Sequence, residues 1–145
     1  MGRQSRGVEA QQGLILVDTS VWIDFLEGKG TPQHHKLRML IENDEDVCLT
    51  GIVVTEILQG IRDERQNREI RDYLLEFPIF NPQGMSSYIR AAEIYRTCAG
   101  KGKTIRRTID CLIAALAIEY GLVLFHNDRD FLNIQDCCGL KTFSL

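Results

Sequence analysis

Four acidic residues interrupt stretches of this chain that otherwise read as core: Asp18, Glu56, Asp110 and Asp128. Asp18 follows the aliphatic run at the start of "LILVDTSVWIDFL", and Asn127-Asp128 follows "LVLFH" in the same way. Glu56 lies inside "GIVVTEILQGI", sharing its helical stripe with Val53, Ile57 and Gly60. Asp110 shares its stripe in "TIDCLIAALAIEY" with Ile113, Ala114 and Ala117. Removing an unpaired carboxylate from water is costly, and several acids brought together raise one another's pKa. We expect no arginine or lysine at helical spacing on these faces. A divalent cation is then the economical partner. Oxygen ligands completed by water suit Mg²⁺, with Mn²⁺ an alternative, and not zinc.

Each acid also has a plainer reading. Asp18 is a good cap for the helix beginning near Thr19 and Ser20, themselves N-cap types. Asp110 falls in a first helical turn, where the macrodipole favours negative charge. Asn-Asp at 127–128 suits a turn. Glu56 resists these explanations, because neither capping nor turn chemistry applies in mid-helix.

The elements that must position these groups follow from the pattern. Strands are read at "LILV", "DVCLT", "LVLFH" and, in shorter form, "PIFNP" and "LKTF". Helices are read in "TSVWIDFL", "HHKLRMLIEN", "GIVVTEILQGIRD", "DERQNREIRDYLLEF", "MSSYIRAAEIYRTCAG", "TIDCLIAALAIEY" and, briefly, "NDRDFLNI". In the highly charged helix, Ile70, Leu74 and Leu75 are expected to face inward, and Gly121 should end the helix before it as a C′ glycine does. The strands are continuous apolar runs alternating with helices, which predicts a mostly parallel sheet covered on both faces. In such sheets ligands collect beyond the carboxyl ends of the strands, where Asp18 and Asp128 are placed.

A length of 145 residues supports one core, and residues 1–13 are expected to form a flexible extension ahead of a domain spanning 14–145. A net charge of −3 argues against a broadly basic nucleic-acid surface, although acids needed to hold a metal depress that total. Five irregularly spaced cysteines without a C-x-x-C pair point to free thiols. With no membrane-length apolar run and no apolar core of a signal peptide, a cytoplasmic protein is expected. The basic loop "KGKTIRR" supplies Lys101, Lys103, Arg106 and Arg107 as candidate phosphate contacts. Arg129 is expected in a local ion pair, and Cys111 in the core.

The ordered segments "LILVDTSVWIDFL", "GIVVTEILQGIRD", "KTIRRTIDCLIAALAIEYGL" and "VLFHNDRDF" resemble the PIN-domain ribonucleases, most closely the VapC-type toxins of toxin–antitoxin pairs. The resemblance covers residues 14–145. It implies a three-layer α/β/α domain with a central five-stranded sheet and an acidic pocket at the strand ends. By motif, Asp18, Glu56, Asp110 and Asp128 match the four acids that hold Mg²⁺, with Asp18 and Asp110 the best candidates for direct contact. Asp130, Ser20 and Asn127 are accessory. Where many relatives have Thr or Ser two places before the fourth acid, this chain has His126, which is expected to donate a hydrogen bond instead. The implied chemistry is attack of metal-activated water on an RNA phosphodiester, leaving 5′-phosphate and 3′-hydroxyl ends. The implied partners are RNA, a VapB-like antitoxin whose segment packs into an apolar groove, and a second copy of the chain.

Other classes fit less well. A dehalogenase-type phosphatase needs D-x-D after the first strand, whereas Asp18 is followed by Thr-Ser; the acid and lysine pattern of receiver domains is missing too. No serine or cysteine triad is legible around His34, His35 or His126. The alternative is a non-catalytic PIN-like scaffold, which loss of one or more acids would mark.

Overall fold

The structure is a computed structural model that describes residues 13–143 and 145, so all but Gly13 of the expected extension lies outside the described residues. The chain order is β1 (Ile15–Val17), α1 (Thr19–Leu26), α2 (Pro32–Glu42), β2 (Val47–Thr50), α3 (Gly51–Gln59) and α4 (Glu64–Leu74), followed by β3 (Ile79–Phe80), α5 (Met85–Gly100), α6 (Thr108–Tyr120), β4 (Val123–Phe125), α7 (Arg129–Cys137) and β5 (Thr142–Phe143). The five strands form one sheet in the order β3-β2-β1-β4-β5. Every pairing is parallel, with Leu16 opposite both Cys48 and Leu124. The expected "mostly parallel" sheet is therefore entirely parallel.

Consecutive strand residues point to opposite faces, and Leu16 with Val17, and Cys48 with Leu49, are all fully buried. Both faces are thus covered. The helices divide into two mutually packed groups, α1 to α4 on one hand and α5 to α7 on the other. Trp22 sits at the centre of the first group, fully buried edge-on against Phe25 and Phe77.

Strand order decides where a ligand can go. From β1 the chain moves one way to β2 and β3, then returns to β4 and β5 on the other side. The switch falls between β1 and β4, whose carboxyl ends carry Asp18 and Asp128. The Asp18 amide donates to the Phe125 carbonyl at 2.9 Å, which locks the two strand ends together. The helix α6 leads into the amino end of β4, so its own N-terminal turn, with Asp110, lies back at the carboxyl rim.

Several local expectations need correction. Pro32 belongs to α2 at its first turn, with Thr31 as the N-cap, because a proline there loses no helical hydrogen bond. Helix α3 stops at Gln59, capped by Gly60, and does not continue through Arg62 and Asp63. Leu75 is 56% exposed; as the residue just past α4 it turns off the stripe that buries Leu74. Gly121 does close α6 in the left-handed region, at φ 68°.

Candidate active site

The acids meet at one rim. Asp18 is the N-cap of α1, its Oδ2 accepting from the Ser20 amide at 3.3 Å and the Ser20 hydroxyl at 2.9 Å. The cap is thus Asp18 and not Thr19 or Ser20. Its Oδ1 is buried and has no hydrogen-bond partner among the described residues. Burial first, with a contribution from the Asp110 charge, pushes the Asp18 pKa up from 3.8 to about 6.

Glu56 is oriented across the crevice by Thr19, whose hydroxyl donates to Oε1 at 2.5 Å. Sequence reasoning missed Thr19; its position beside Asp18, on the helix facing α3, was the available signal. Asp110, fully buried in the first turn of α6, is held by Arg107. Arg107 Nη2 donates to Asp110 Oδ1 at 2.8 Å, while Nη1 reaches Glu56 Oε2 at 3.4 Å. Burial raises the Asp110 pKa, and Arg107 opposes the rise.

That arginine overturns the expectation of no basic partner at helical spacing. Arg107 lies three residues before Asp110, and its extended backbone just outside the helix lets the side chain fold back over the first turn. Arg106 does the same for the other pair. Its Nη2 donates to Asp128 Oδ1 at 3.0 Å, and its Nε and backbone amide bind Asp130 at 3.3 and 3.1 Å. Both arginines are thus paired with acids in the structure. Lys103 pairs with Asp136 at 2.9 Å and Lys101 reaches the Cys137 carbonyl, both at the far end of α7. Arg129 is exposed and in no ion pair among the described residues, contrary to expectation.

Asp128 caps α7 by accepting from the Asp130 amide at 2.9 Å. His126 is fully buried behind it and accepts, through Nδ1, from the Asp128 amide at 3.1 Å. The expected role as donor is therefore reversed, and burial pushes the His126 pKa down. Asn127 is exposed and makes no side-chain hydrogen bond among the described residues.

No three His, Cys, Asp or Glu side chains among the described residues are gathered as a ready metal cage. The donor chemistry nevertheless suits a hard cation: the donors are all carboxylate oxygens, and a buried Asp18 oxygen has nothing to bind. Beside the site, Ile23, Leu26, Ile57, Ile61 and Ile70 line a groove of about 410 Å³ together with Glu27, Glu56, Arg62, Asp63 and Gln66. Trp22 is fully buried in the core. Among the described residues no helix is long and apolar enough to cross a membrane.

Comparison with known proteins agrees with this geometry. The PIN domain family profile matches residues 15–136. The VapC ribonuclease Mb1587 of Mycobacterium bovis is 33% identical over 132 residues, covering 90% of this chain and 98% of that protein. Ribonuclease VapC11 of Mycobacterium tuberculosis matches to the same extent. Among solved structures, VapBC2 from Rickettsia felis, bound to a DNA fragment from its promoter, superposes with a TM-score of 0.72 at 18% identity, covering 91% of this chain and 98% of that one. VapBC-1 from nontypeable Haemophilus influenzae gives a TM-score of 0.69 at 18% identity over 90% of this chain and 97% of that one. At such identity the structures speak for the fold, whereas the matched profile and the mycobacterial relatives speak for descent: the chain belongs to the PIN domain family.

Proposed function

We propose that the chain is a VapC-type endoribonuclease toxin, dependent on a divalent metal, Mg²⁺ by preference or Mn²⁺, and restrained by an antitoxin. One observation carries the reading: a buried Asp18 carboxylate oxygen, without a partner among the described residues, lies within the field of Asp110, which Arg107 ties to Glu56. A fold does not retain such a group for stability alone, since burying it uncompensated is unfavourable. The 33% identical VapC ribonucleases support the same assignment.

Asp18 and Asp110 are the residues to hold the metal directly, with Glu56 and Asp128 completing its surroundings. When bound, such a cation supplies a lowered water pKa and neutralisation of phosphate charge. The protein's own contribution is placement. Thr19 fixes the Glu56 carboxylate, Ser20 fixes one Asp18 oxygen and leaves the other free, and the His126 acceptor fixes the turn that presents Asp128. Water held at this rim would attack phosphorus in line, the P–O3′ bond would break and the departing 3′ oxygen would take up a proton, leaving a 5′-phosphate and a 3′-hydroxyl. The groove beside Glu56, where isoleucines alternate with acids, suits an antitoxin segment carrying both apolar anchors and a basic residue that would reach the carboxylates.

The test is cleavage of RNA by the purified chain with Mg²⁺, with EDTA, and with Asp18→Asn. Cleavage is expected only for the unsubstituted protein with metal. Cleavage unaffected by EDTA rules out the metal mechanism, and metal binding without cleavage of any RNA favours the scaffold. All four acids are present, which stands against that alternative.

A further inference from the structure

A guanidinium stands among these acids. Arg107 grips both oxygens of Asp110, Nη2 to Oδ1 at 2.8 Å and Nε to Oδ2 at 3.4 Å, and reaches Glu56 Oε2 at 3.4 Å. Those oxygens are ones a divalent cation would need. Glu56 and Asp110 share this one guanidinium, and among the described residues it makes no hydrogen bond to Asp18, whose Oδ1 has no partner there.

We propose that Arg107 is the resident cation of the metal-free site, an internal competitor that a divalent metal must displace from Asp110 and Glu56. The inference rests on the metal-dependent reading above and adds a regulatory contact to it. Three features support displacement over a permanent structural tie. Arg107 is half exposed, at 50% for its side chain, so it can return to water without leaving a buried charge behind. It lies just outside α6 and makes no side-chain cap bond there, so its departure does not unwind the helix. A divalent cation brings more charge to three carboxylates than a single guanidinium does, and it can satisfy the Asp18 oxygen that Arg107 leaves bare.

The physical role of the arginine is then clear. Without it, the fully buried Asp110 would have no hydrogen-bonding partner in the metal-free protein, a strongly destabilising condition. With it, the fold tolerates the acids at all times, at the expense of metal affinity.

The experiment is a Mn²⁺ titration of the full chain, followed by calorimetry and by the paramagnetic resonance of free Mn²⁺. Arg107→Ala should bind Mn²⁺ about tenfold more tightly than the unsubstituted protein, reflecting loss of a charge-assisted contact to a buried acid. Arg107→Lys, which keeps the charge but lacks the fork, should fall between the two, and it carries the test if Arg107→Ala does not fold without metal. Arg90→Ala, which removes the same charge at the remote Glu119 pair, should leave the affinity unchanged. A purely structural Arg107 would loosen Mn²⁺ binding when removed. Affinity that is equal or weaker in the Arg107 variants overturns this proposal alone, whereas no Mn²⁺ binding by the unsubstituted protein overturns it together with the metal-dependent mechanism.

Discussion

Arg106 and Arg107 are adjacent, equally charged and each bound to two acids, yet the two halves of the rim are built differently. On the β4 side, Asp130 is held by the Arg106 backbone amide as well as its side chain, and its own amide is tied to Asp128. Asp128 is also anchored through the buried His126. That half would stay in place without the guanidinium. On the other side, both Asp110 oxygens depend on the Arg107 side chain, and Asp18 keeps an oxygen with no partner. Backbone-held acids make architecture, and side-chain-held or unpartnered acids make a site whose occupant can be exchanged.

The sharpest way to break this contrast is Asp110→Asn. If the Arg107 side of the rim is the chemical one, RNA cleavage with Mg²⁺ should fall on the order of a thousandfold, as when one directly stabilising group is removed from a reaction centre. A loss of only a few-fold would shift the chemistry to the Asp128 side.

The next effect concerns Asp18, the acid with no cation bound to it. Its pKa is raised to about 6 in the folded protein from an ordinary 3.8, so the folded state binds the proton more tightly than the unfolded chain. Protonation therefore favours folding. The stabilisation is complete below the ordinary value and is lost as pH rises through about 6. Metal-free protein in EDTA should be less stable at pH 7 than near pH 4.5, by about 2 kcal/mol from this group. Denaturant melts across pH would measure it, and Asp18→Asn should flatten the profile between those limits. An Asp18→Asn protein with the parent's slope would show that another group titrates.

Asp130→Ala probes the architectural half. It removes a buried acceptor of a backbone amide, with an expected loss of about 2 kcal/mol in urea melts. Cleavage measured well below the melting temperature should suffer less than in Asp110→Asn. Smallest of all is Arg106→Ala. The Arg106 side chain is 69% exposed and its acids have backbone partners, so the melting temperature should barely move. A large drop would mean that this guanidinium, and not the backbone, holds the Asp128 side.

Several features were legible in the sequence for identifiable reasons. Continuous apolar runs such as "LVLFH" marked buried strands, and Gly121 marked the end of a helix. The placement of Asp18 and Asp128 after two such runs located one rim of the sheet. The plainer reading of Asp18 as a helix cap held, whereas Asp128, read as a turn residue, is a helix cap too. What escaped was pairing. Arg107 stood at helical spacing from Asp110 in plain view, but the loop before a helix has no fixed direction until its backbone angles are known. The direction of the His126 hydrogen bond was equally hidden, because either ring nitrogen can serve as donor or acceptor.

Sequence alone determined the alternating strand and helix pattern, the parallel sheet and the four out-of-place acids, because periodicity and burial are local properties of a chain. Only the tertiary structure decided that β1 and β4 are neighbours, that Thr19 reaches Glu56 across two helices, and that one guanidinium serves both Asp110 and Glu56. Those are contacts between groups as many as 108 positions apart, Ile15 beside Val123 in the β1–β4 pairing, and no local preference encodes them. They follow from how the sheet closes its core and brings the ends of its strands and helices to a single rim.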